Sequence, residues 1–242
     1  MRILMVASEV WPFAKTGGLA DVLAALPRAL AQRGHTVDVV LPRYRDVDSG
    51  EAMGAVPVFM GGTRRDAPLF STQMDPGVRV ITVAQDDYYA REHLYGSPAG
   101  DYQDNAERFG FLAHATLAMA ARQTAPYDVI HAHDWQCGLV PALLETTYAA
   151  LNGVGRTPTV FTIHNLAYQG LFDVACLRRL GLGPDMARVE AMEHWGQVSF
   201  LKAGIQFASI LTTVSPRYAM EIQSPELGFG FDSLLRYRAR DL

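Results

Sequence analysis

What the sequence lacks already narrows the class of protein. There are 2 cysteines among 242 residues, Cys137 and Cys176, and neither lies in a Cys-x-x-Cys pair, which excludes a disulfide framework. No apolar run is long enough to span a bilayer, and the apolar stretch at the N-terminus is too short for a signal peptide. The formal net charge of −4 gives no general attraction to nucleic acid or to an anionic membrane. We therefore expect a soluble, cytoplasmic protein with neither nucleic acid nor a membrane as partner.

Several catalytic motifs are missing as well. The chain has neither the G-x-G-x-x-G pattern nor the P-loop pattern, and residues 42–45, Pro-Arg-Tyr-Arg, stand where a dinucleotide-dependent dehydrogenase would carry an acid after its second strand. The G-x-S-x-G elbow is also absent, which argues against a Ser-His-Asp hydrolase.

The first 22 residues contain the most informative local pattern. A short apolar run at residues 3–7 predicts a buried strand, and apolar residues at helical spacing begin at Leu19. Between them lie Lys15, Gly17 and Gly18. Free N–H groups at a helix start, glycines that let a ligand approach and a nearby lysine together suit an anion such as a phosphate. The spacing alone fits an ordinary helix start with a solvated lysine equally well.

Strands and helices alternate along the rest of the chain. Further strands are predicted at residues 36–42, 55–60, 68–73, 78–84, 127–132, 157–163 and 210–214, and helices at 105–123 and 134–150. The three strands between residues 55 and 84 read as an antiparallel excursion or a mixed edge. No linker or repeat divides the chain, so we expect one α/β domain over residues 1–242, Rossmann-like and doubly wound around a mostly parallel sheet.

Polar residues follow several of these strands directly. They are Ser8 and Glu9, His133 and Asp134, His164 and Asn165, and Ser215. Because ligands of doubly wound sheets bind beyond the carboxyl ends of the strands, we expect these positions to converge on one crevice.

Several residues at or near these strand ends also have other interpretations. His131 and His133, with His164 as a third ligand, could in principle bind a metal, but no further pattern completes the site, and we expect none. His131 fits a hydrogen-bonded core histidine, and Asp134 fits an N-cap. Trp135 offers either a flat face for a sugar ring or a core side chain. Lys202 fits either a buried partner of an acid or a snorkelling residue, and Ser215 fits the cap of a helix begun by Pro216.

The order of the motifs resembles the family of bacterial glycogen synthases and plant starch synthases. The matching segments are SEVWPFAKTGGLADV (residues 8–22), GDYQDNAERF (100–109), HAHDWQ (131–136), HNLAYQG (164–170), FLKAG (200–204), TVSP (213–216) and EIQSPE (221–226). One segment differs: residues 88–92 read Tyr-Tyr-Ala-Arg-Glu, where the family more often has Tyr-x-Asp-Arg-Pro.

The resemblance implies a retaining glucosyltransferase of the GT-B fold. Such an enzyme transfers glucose from ADP-glucose to the non-reducing end of an α-1,4-glucan and needs no metal or other cofactor. The match covers the first of two Rossmann-like domains, so we expect this chain to be the N-terminal half, to lack the C-terminal GT-B domain and to be inactive alone. A non-catalytic glucan-binding module is the alternative.

The resemblance also implies roles for individual residues. Lys15, Gly18 and Asp21 would contact the nucleotide sugar, with Lys15 stabilising the leaving phosphate, and His164 would lie beside the transferred glucosyl ring. The expected glucose- or glucan-binding residues are Glu9, Tyr89, Asp134, Trp135 and Asn165.

Overall fold

A computed structural model describes residues 1–48 and 50–242. The strands are β1 (Arg2–Val6), β2 (Thr36–Pro42), β3 (Glu51–Met60), β4 (Thr63–Asp75), β5 (Val78–Val83), β6 (Gly96–Ser97), β7 (Gly100–Asp101), β8 (Val129–His133), β9 (Thr159–Ile163), β10 (Leu171–Phe172), β11 (Glu193–His194), β12 (Gln197–Ser199) and β13 (Ile210–Thr213). The helices are α1 (Leu19–Ala31), α2 (Asp86–Tyr89), α3 (Asn105–Ala121), α4 (Leu139–Glu145), α5 (Cys176–Leu180), α6 (Phe200–Phe207), α7 (Pro216–Glu221) and α8 (Asp232–Tyr237).

One sheet of eight strands organises the molecule. Its order is β13-β9-β8-β1-β2-β5-β4-β3, and the six strands from β13 to β5 are parallel. From β1 the chain adds β2 and β5 on one side, then crosses back to add β8, β9 and β13 on the other. The predicted mostly parallel, doubly wound sheet is therefore confirmed, and its switch point lies between β1 and β8.

The central strands are buried on both faces. Leu4, Met5 and Val6 of β1 are fully shielded from solvent, as are Val39 and Val40 of β2. Helix α1 packs on β2 and β5, and α3 packs on β2, β3 and β5. Because crossovers are right-handed and the strand order reverses after β5, these two helices cover opposite faces of the sheet.

The three strands predicted as an antiparallel excursion or a mixed edge form a mixed edge, because β5 pairs parallel with β2 and antiparallel with β4. Strands β3 and β4 pair antiparallel through a two-residue turn at Gly61 and Gly62, whose φ angles are 60° and 76°. Both positions of such a turn require positive φ, which glycine adopts without steric cost. The hairpin is longer than predicted and extends the parallel sheet through β5.

The helix predicted at residues 134–150 is wrong in its extent. A 3₁₀ turn spans Trp135–Cys137, and α4 covers only Leu139–Glu145. Two threonines follow, and the hydroxyl of Thr146 donates to the carbonyl of Ala142. Threonine is a weak helix former because its branched side chain is restricted and its hydroxyl competes for backbone groups, which accounts for the early end.

One smaller prediction concerns a helix start. Ser215 caps α7 as expected, since its hydroxyl accepts from the backbone N–H of Tyr218. Asp104 precedes α3 without a side-chain cap, because its carboxylate is bound by Arg91. Within the described residues, no helix combines the length and apolar composition needed to cross a membrane.

Candidate functional site

A cavity of about 640 Å³ lies at the switch point, beyond the carboxyl ends of β1, β8 and β9. Its wall is formed by the start of α1, by the segments that follow β8 and β9, and by the 85–104 loop. The lining residues are Glu9, Thr16, Gly17, Gly18, Leu19, Val22, Tyr95, Asp101, Asp134, Trp135, Gln136, His164, Asn165, Tyr168 and Val214. The structure thus brings together four of the polar residues predicted at the strand ends, Glu9, Asp134, His164 and Asn165, whereas Ser8, His133 and Ser215 do not line this cavity.

The glycine loop before α1 is held in place by Glu9. One carboxylate oxygen of this buried acid accepts from the backbone N–H groups of Thr16 and Gly17, the latter at 3.1 Å. The other oxygen accepts from the Thr16 hydroxyl at 2.6 Å and from the Tyr95 hydroxyl at 2.6 Å. Glu9 therefore fixes the shape of the loop, and both of its oxygens are already engaged.

Space beside the loop glycines is left open. A Cβ atom built on Gly17 or Gly18 would meet nothing within 4 Å, and Gly18 has φ −71°, which any residue can adopt. The backbone conformation does not account for glycine at position 18. Glycine here keeps the first turn of α1 accessible to a ligand, which is the arrangement that binds anions at helix starts.

Lys15 lies beside this opening but does not line the cavity. Its ammonium group is 2.6 Å and 2.8 Å from the two carboxylate oxygens of Asp21 and 5.7 Å from the centre of the Trp11 ring. The side chains of the pair are 38% and 58% exposed. An exposed ion pair contributes about 0–1 kcal/mol, so Lys15 can exchange Asp21 for a stronger anion at small cost.

Three histidines form a layer under the cavity. Nδ1 of His133 lies 3.1 Å from Nε2 of His164, and the ring of His131 stacks on His133 with centroids 4.0 Å apart. His131 is hydrogen-bonded to Thr162 at 2.6 Å, as expected of a core histidine. Burial lowers the pKa of His164 and of His131 to about 4, and that of His133 well below its usual value. All three rings are therefore neutral near pH 7.

The described residues contain no group of three or more histidine, cysteine, aspartate or glutamate side chains arranged to hold a metal ion. His164 itself faces the cavity as a neutral ring that can exchange hydrogen bonds with a ligand.

Asp134 is a buried acid with an unusual backbone. Its φ is 61°, its N–H donates to the carbonyl of Thr162 at 2.9 Å, and its Oδ1 has no hydrogen-bond partner in the described part of the chain. Burial raises the pKa of this carboxyl to about 7, although backbone N–H groups of Trp135, Asn165 and His164 pull it the other way. The predicted N-cap is not formed, because the side chain makes no capping bond to the 3₁₀ turn.

Trp135 and Asn165 both line the cavity. Trp135 is largely buried and packs edge-on against Phe109, with ring centroids 5.2 Å apart. It combines both expected roles, since it belongs to the core and also lines the cavity. Asn165 is exposed, and its side-chain oxygen accepts from the N–H of Ala167.

The structure does not bring Tyr89 to the cavity. Tyr89 is fully buried, and its hydroxyl donates to the carbonyl of Arg108 at 2.7 Å, which corrects its expected contact with a glucan. Tyr95 is the tyrosine of this loop that lines the cavity, and its hydroxyl binds Glu9 and Ser8. The only sequence signal for Tyr95 was the unusual tyrosine content of residues 85–104.

The doubly wound sheet with a cavity at its switch point is the architecture of one Rossmann-like half of the GT-B fold. A solved structure described as the catalytic domain of starch synthase IV from Arabidopsis thaliana, bound to ADP and acarbose, superposes with a TM-score of 0.89 at 30% identity. That match covers 99% of this chain and 50% of the other.

The chain belongs to the starch synthase catalytic domain family, whose sequence profile matches residues 2–237. It is similar to glycogen synthases from Syntrophotalea carbinolica, at 47% identity over 247 residues, and from an Anaeromyxobacter species, at 49% identity over 243 residues. All of this chain but only 51% of each relative is aligned, so the chain spans about half the length of the curated relatives it matches.

Proposed function

We propose that this chain forms the N-terminal half of a glycogen synthase that transfers glucose from ADP-glucose to the non-reducing end of an α-1,4-glucan. One observation carries the proposal: an open glycine loop at a helix start and the strand-end residues Asp134, His164 and Asn165 line the same cavity. The family membership and the ADP and acarbose bound by the starch synthase IV structure support this choice of donor and acceptor.

The donor diphosphate is proposed to lie against the glycine loop. The N–H groups at the start of α1 offer partial positive charge, and Gly18 leaves room for a phosphate. Lys15 would leave Asp21 and turn its ammonium group to the leaving phosphate. Negative charge grows on that phosphate as the glycosidic bond breaks, so this contact is strongest in the transition state. Asp21 would then be free to accept a hydrogen bond from the donor.

The transferred glucose is proposed to lie between His164 and Asp134. His164 is neutral, so it can donate to a sugar oxygen without placing a cation beside the developing positive charge of the ring. Asp134 has an unpartnered Oδ1, which is suited to accept from a sugar hydroxyl. Trp135 and Asn165 would contact the acceptor glucan, and Glu9 would act through the loop that it holds.

Residues 1–242 are proposed to form a single domain, which the shared sheet and the single core cluster of the described residues support. In GT-B transfer the donor is held between two such domains, and positioning of this kind can lower a barrier by about 7–11 kcal/mol. We therefore expect the 242-residue chain to bind ligands weakly and to transfer no detectable glucose by itself.

Calorimetric titration of the chain with ADP-glucose and, separately, with maltoheptaose tests the proposal. Weak binding of both ligands is expected, with ADP-glucose binding reduced in Lys15→Ala and unchanged in Arg33→Ala, a matched loss of one exposed positive charge on another surface. Binding of maltoheptaose without ADP-glucose would instead indicate a non-catalytic glucan-binding module. Transfer of labelled glucose to glycogen by chain shown by mass to be free of full-length synthase would overturn the proposed need for a second domain.

A further inference from the structure

A second cavity, of about 490 Å³, lies apart from the first and shares no lining residue with it. It is enclosed by the β11–β12 hairpin, the start of α6 and the beginning of α8. The side chains that matter for its chemistry are Glu193, His194, Trp195, Lys202, Phe231 and Ser233. None of them has a role in the function proposed above.

The fold does not explain why a tryptophan occupies position 195. It occupies the two-residue turn between His194 and Gln197 with φ 55°, followed by Gly196 with φ 78°. Turns of this kind favour asparagine, aspartate or glycine, and a bulky side chain at positive φ is disfavoured. Trp195 is nevertheless 78% exposed, so packing does not compensate for the strained backbone. A large aromatic face presented to solvent under strain indicates a binding role.

Two buried polar side chains on the cavity wall have unused hydrogen-bonding capacity. Lys202 is 7% exposed, and its ammonium group donates to the carbonyls of Val189 and Glu193, at 2.6 Å and 2.5 Å, which leaves its third N–H. His194 is also 7% exposed and stacks on Phe231 at 4.2 Å, and within the described chain its Nε2 has no partner. Buried polar groups are nearly always paired, so the unpartnered Nε2 of His194 points to a missing ligand or to the water it would replace, and the third N–H of Lys202 offers that ligand a second hydrogen bond.

The charge of the cavity favours a neutral ligand. Lys202 and Glu193 bring opposite formal charges to the lining, and Glu190 lies close enough to Lys202 to act on it electrostatically. A free anion would therefore meet acids as well as the lysine. The apolar C–H face of a sugar ring can stack on the indole of Trp195. Its hydroxyls can both donate and accept, so they can pair with His194 and Lys202 beside that indole.

The second cavity is connected to the first along the surface. Tyr168 lines the first cavity, and the side-chain amide of the next residue, Gln169, donates to the carbonyl of Phe229 at 2.9 Å. The residue after Phe229 is Gly230, where an added Cβ would lie 3.2 Å from both His194 and Trp195. Phe229 is itself exposed and has φ 48°. Exposed aromatic residues thus follow one another from the candidate active site to Trp195.

We propose that the cavity beside Trp195 is a second carbohydrate subsite, which binds distal glucose units of an α-1,4-glucan whose end lies in the first cavity. The proposal rests on the function proposed above for its choice of glucan. A long acceptor would contact both cavities, and a short one would reach only the first. Trp195 would therefore contribute to the affinity for long glucans and not to that for short ones.

The three tryptophans of the chain allow a direct test, because each indole N–H gives its own signal in a nitrogen-proton correlation spectrum. The signals are assigned by the variants Trp11→Phe, Trp135→Phe and Trp195→Phe, and the chain is titrated with maltose, maltoheptaose and the β-linked cellohexaose. We expect maltoheptaose to shift the signals of both Trp135 and Trp195, maltose to shift only that of Trp135, and cellohexaose to shift neither. In Trp195→Ala, maltoheptaose affinity should fall about fivefold or more, as for a truncated interface aromatic, with maltose affinity unchanged.

Phe59→Ala is the matched control, because Phe59 is an exposed aromatic residue on the β3–β4 hairpin, and it should leave both affinities unchanged. A Trp135 shift without a Trp195 shift would overturn the second subsite and leave the proposed function standing. A Trp195 shift alone would support the subsite and count against the acceptor position in the first cavity. Equal shifts with cellohexaose, or no shift in either signal with maltoheptaose, would overturn the proposal.

Discussion

Asp134 is a buried acid whose ionisation should give the protein a measurable pH dependence of stability. Burial raises the pKa of its carboxyl from 3.8 to about 7. In the unfolded chain the carboxyl loses its proton near pH 4, whereas in the folded protein it keeps the proton to about pH 7. Between these values the folded state binds more protons, so the contribution of Asp134 to the free energy of unfolding falls as the pH rises.

The size of the effect follows from the two pKa values. One pKa unit corresponds to about 1.4 kcal/mol, so the change from 3.8 to about 7 amounts to roughly 4 kcal/mol as an upper bound. In Asp134→Asn this penalty is absent. The difference in free energy of unfolding, variant minus wild type, should therefore increase from about pH 4 to about pH 7 and then level off.

Urea denaturation at several pH values between about 4 and 8 measures this difference. The lowered pKa values of His131, His133 and His164 make both proteins more stable as the pH rises through this range, and that contribution largely cancels in the difference. Asp104→Asn is the control, because burial raises the pKa of Asp104 but the ion pair with Arg91 outweighs it and lowers that pKa below 3.8. Asp104 is therefore ionised in both the folded and the unfolded state above about pH 4, and the difference for Asp104→Asn should stay level across this range. A difference for Asp134→Asn that is independent of pH, or that decreases as the pH rises, would refute the assigned environment of Asp134.

Three further predictions concern single substitutions. Lys15→Ala should change the free energy of unfolding by less than about 1 kcal/mol, because its ion pair with Asp21 is exposed, while ADP-glucose binding falls about tenfold or more and recovers in part in Lys15→Arg; unchanged binding would remove Lys15 from the donor site. His164→Ala should weaken ADP-glucose binding measured by calorimetry, whereas EDTA treatment of the wild type should not, and stoichiometric zinc in the purified protein would contradict this. Gly204→Ala should destabilise the protein by about 1–3 kcal/mol in urea denaturation, because its Cβ would lie 2.4 Å from the Phe161 ring. A Cβ added at Gly17 would meet no atom within 4 Å, so Gly17→Ala should change the free energy of unfolding by less than about 0.5 kcal/mol. Equal losses of stability in the two glycine variants would contradict the packing argument.

Much of the fold was predictable because its signals are local. Strand β2 occupies residues 36–42 as predicted, and α3 begins at Asn105 and ends within two residues of the predicted Gln123. Apolar runs and helical spacing report directly on burial, and burial determines these elements. The convergence of Asp134, His164 and Asn165 followed from a general property of parallel sheets. The choice of glucosyl transfer as the reaction came from the family resemblance, because the individual residues did not specify a reaction.

Most of the errors concern where individual side chains point and what they contact. Tyr89 and Tyr95 belong to one loop, and only the packing of that loop decides which of them is buried under Arg108 and which reaches Glu9. Lys202 was expected to pair with an acid or to extend to solvent, but its ammonium group binds two backbone carbonyls. Asp134 was expected to cap a helix, but with its positive φ the side chain makes no capping bond and lines the cavity instead. Side-chain orientation of this kind has no periodic signature.

The bonds around Glu9 have a consequence for how this protein can be altered. Arg108 donates to Asn105, Asn105 donates to the carbonyl of Tyr95, and the Tyr95 hydroxyl donates to Glu9, which holds Thr16 and Gly17. The shape of the glycine loop thus depends on a tyrosine about eighty positions further along the chain. Insertions and deletions between residues 90 and 104 would move Tyr95 and release Glu9. Residues 90–104 should therefore tolerate changes of sequence at exposed positions but, unlike most surface loops, not changes of length. If the first 22 residues were grafted onto another α/β domain, the glycine loop would keep its shape only if Tyr95, Asn105 and Arg108 were transferred as well.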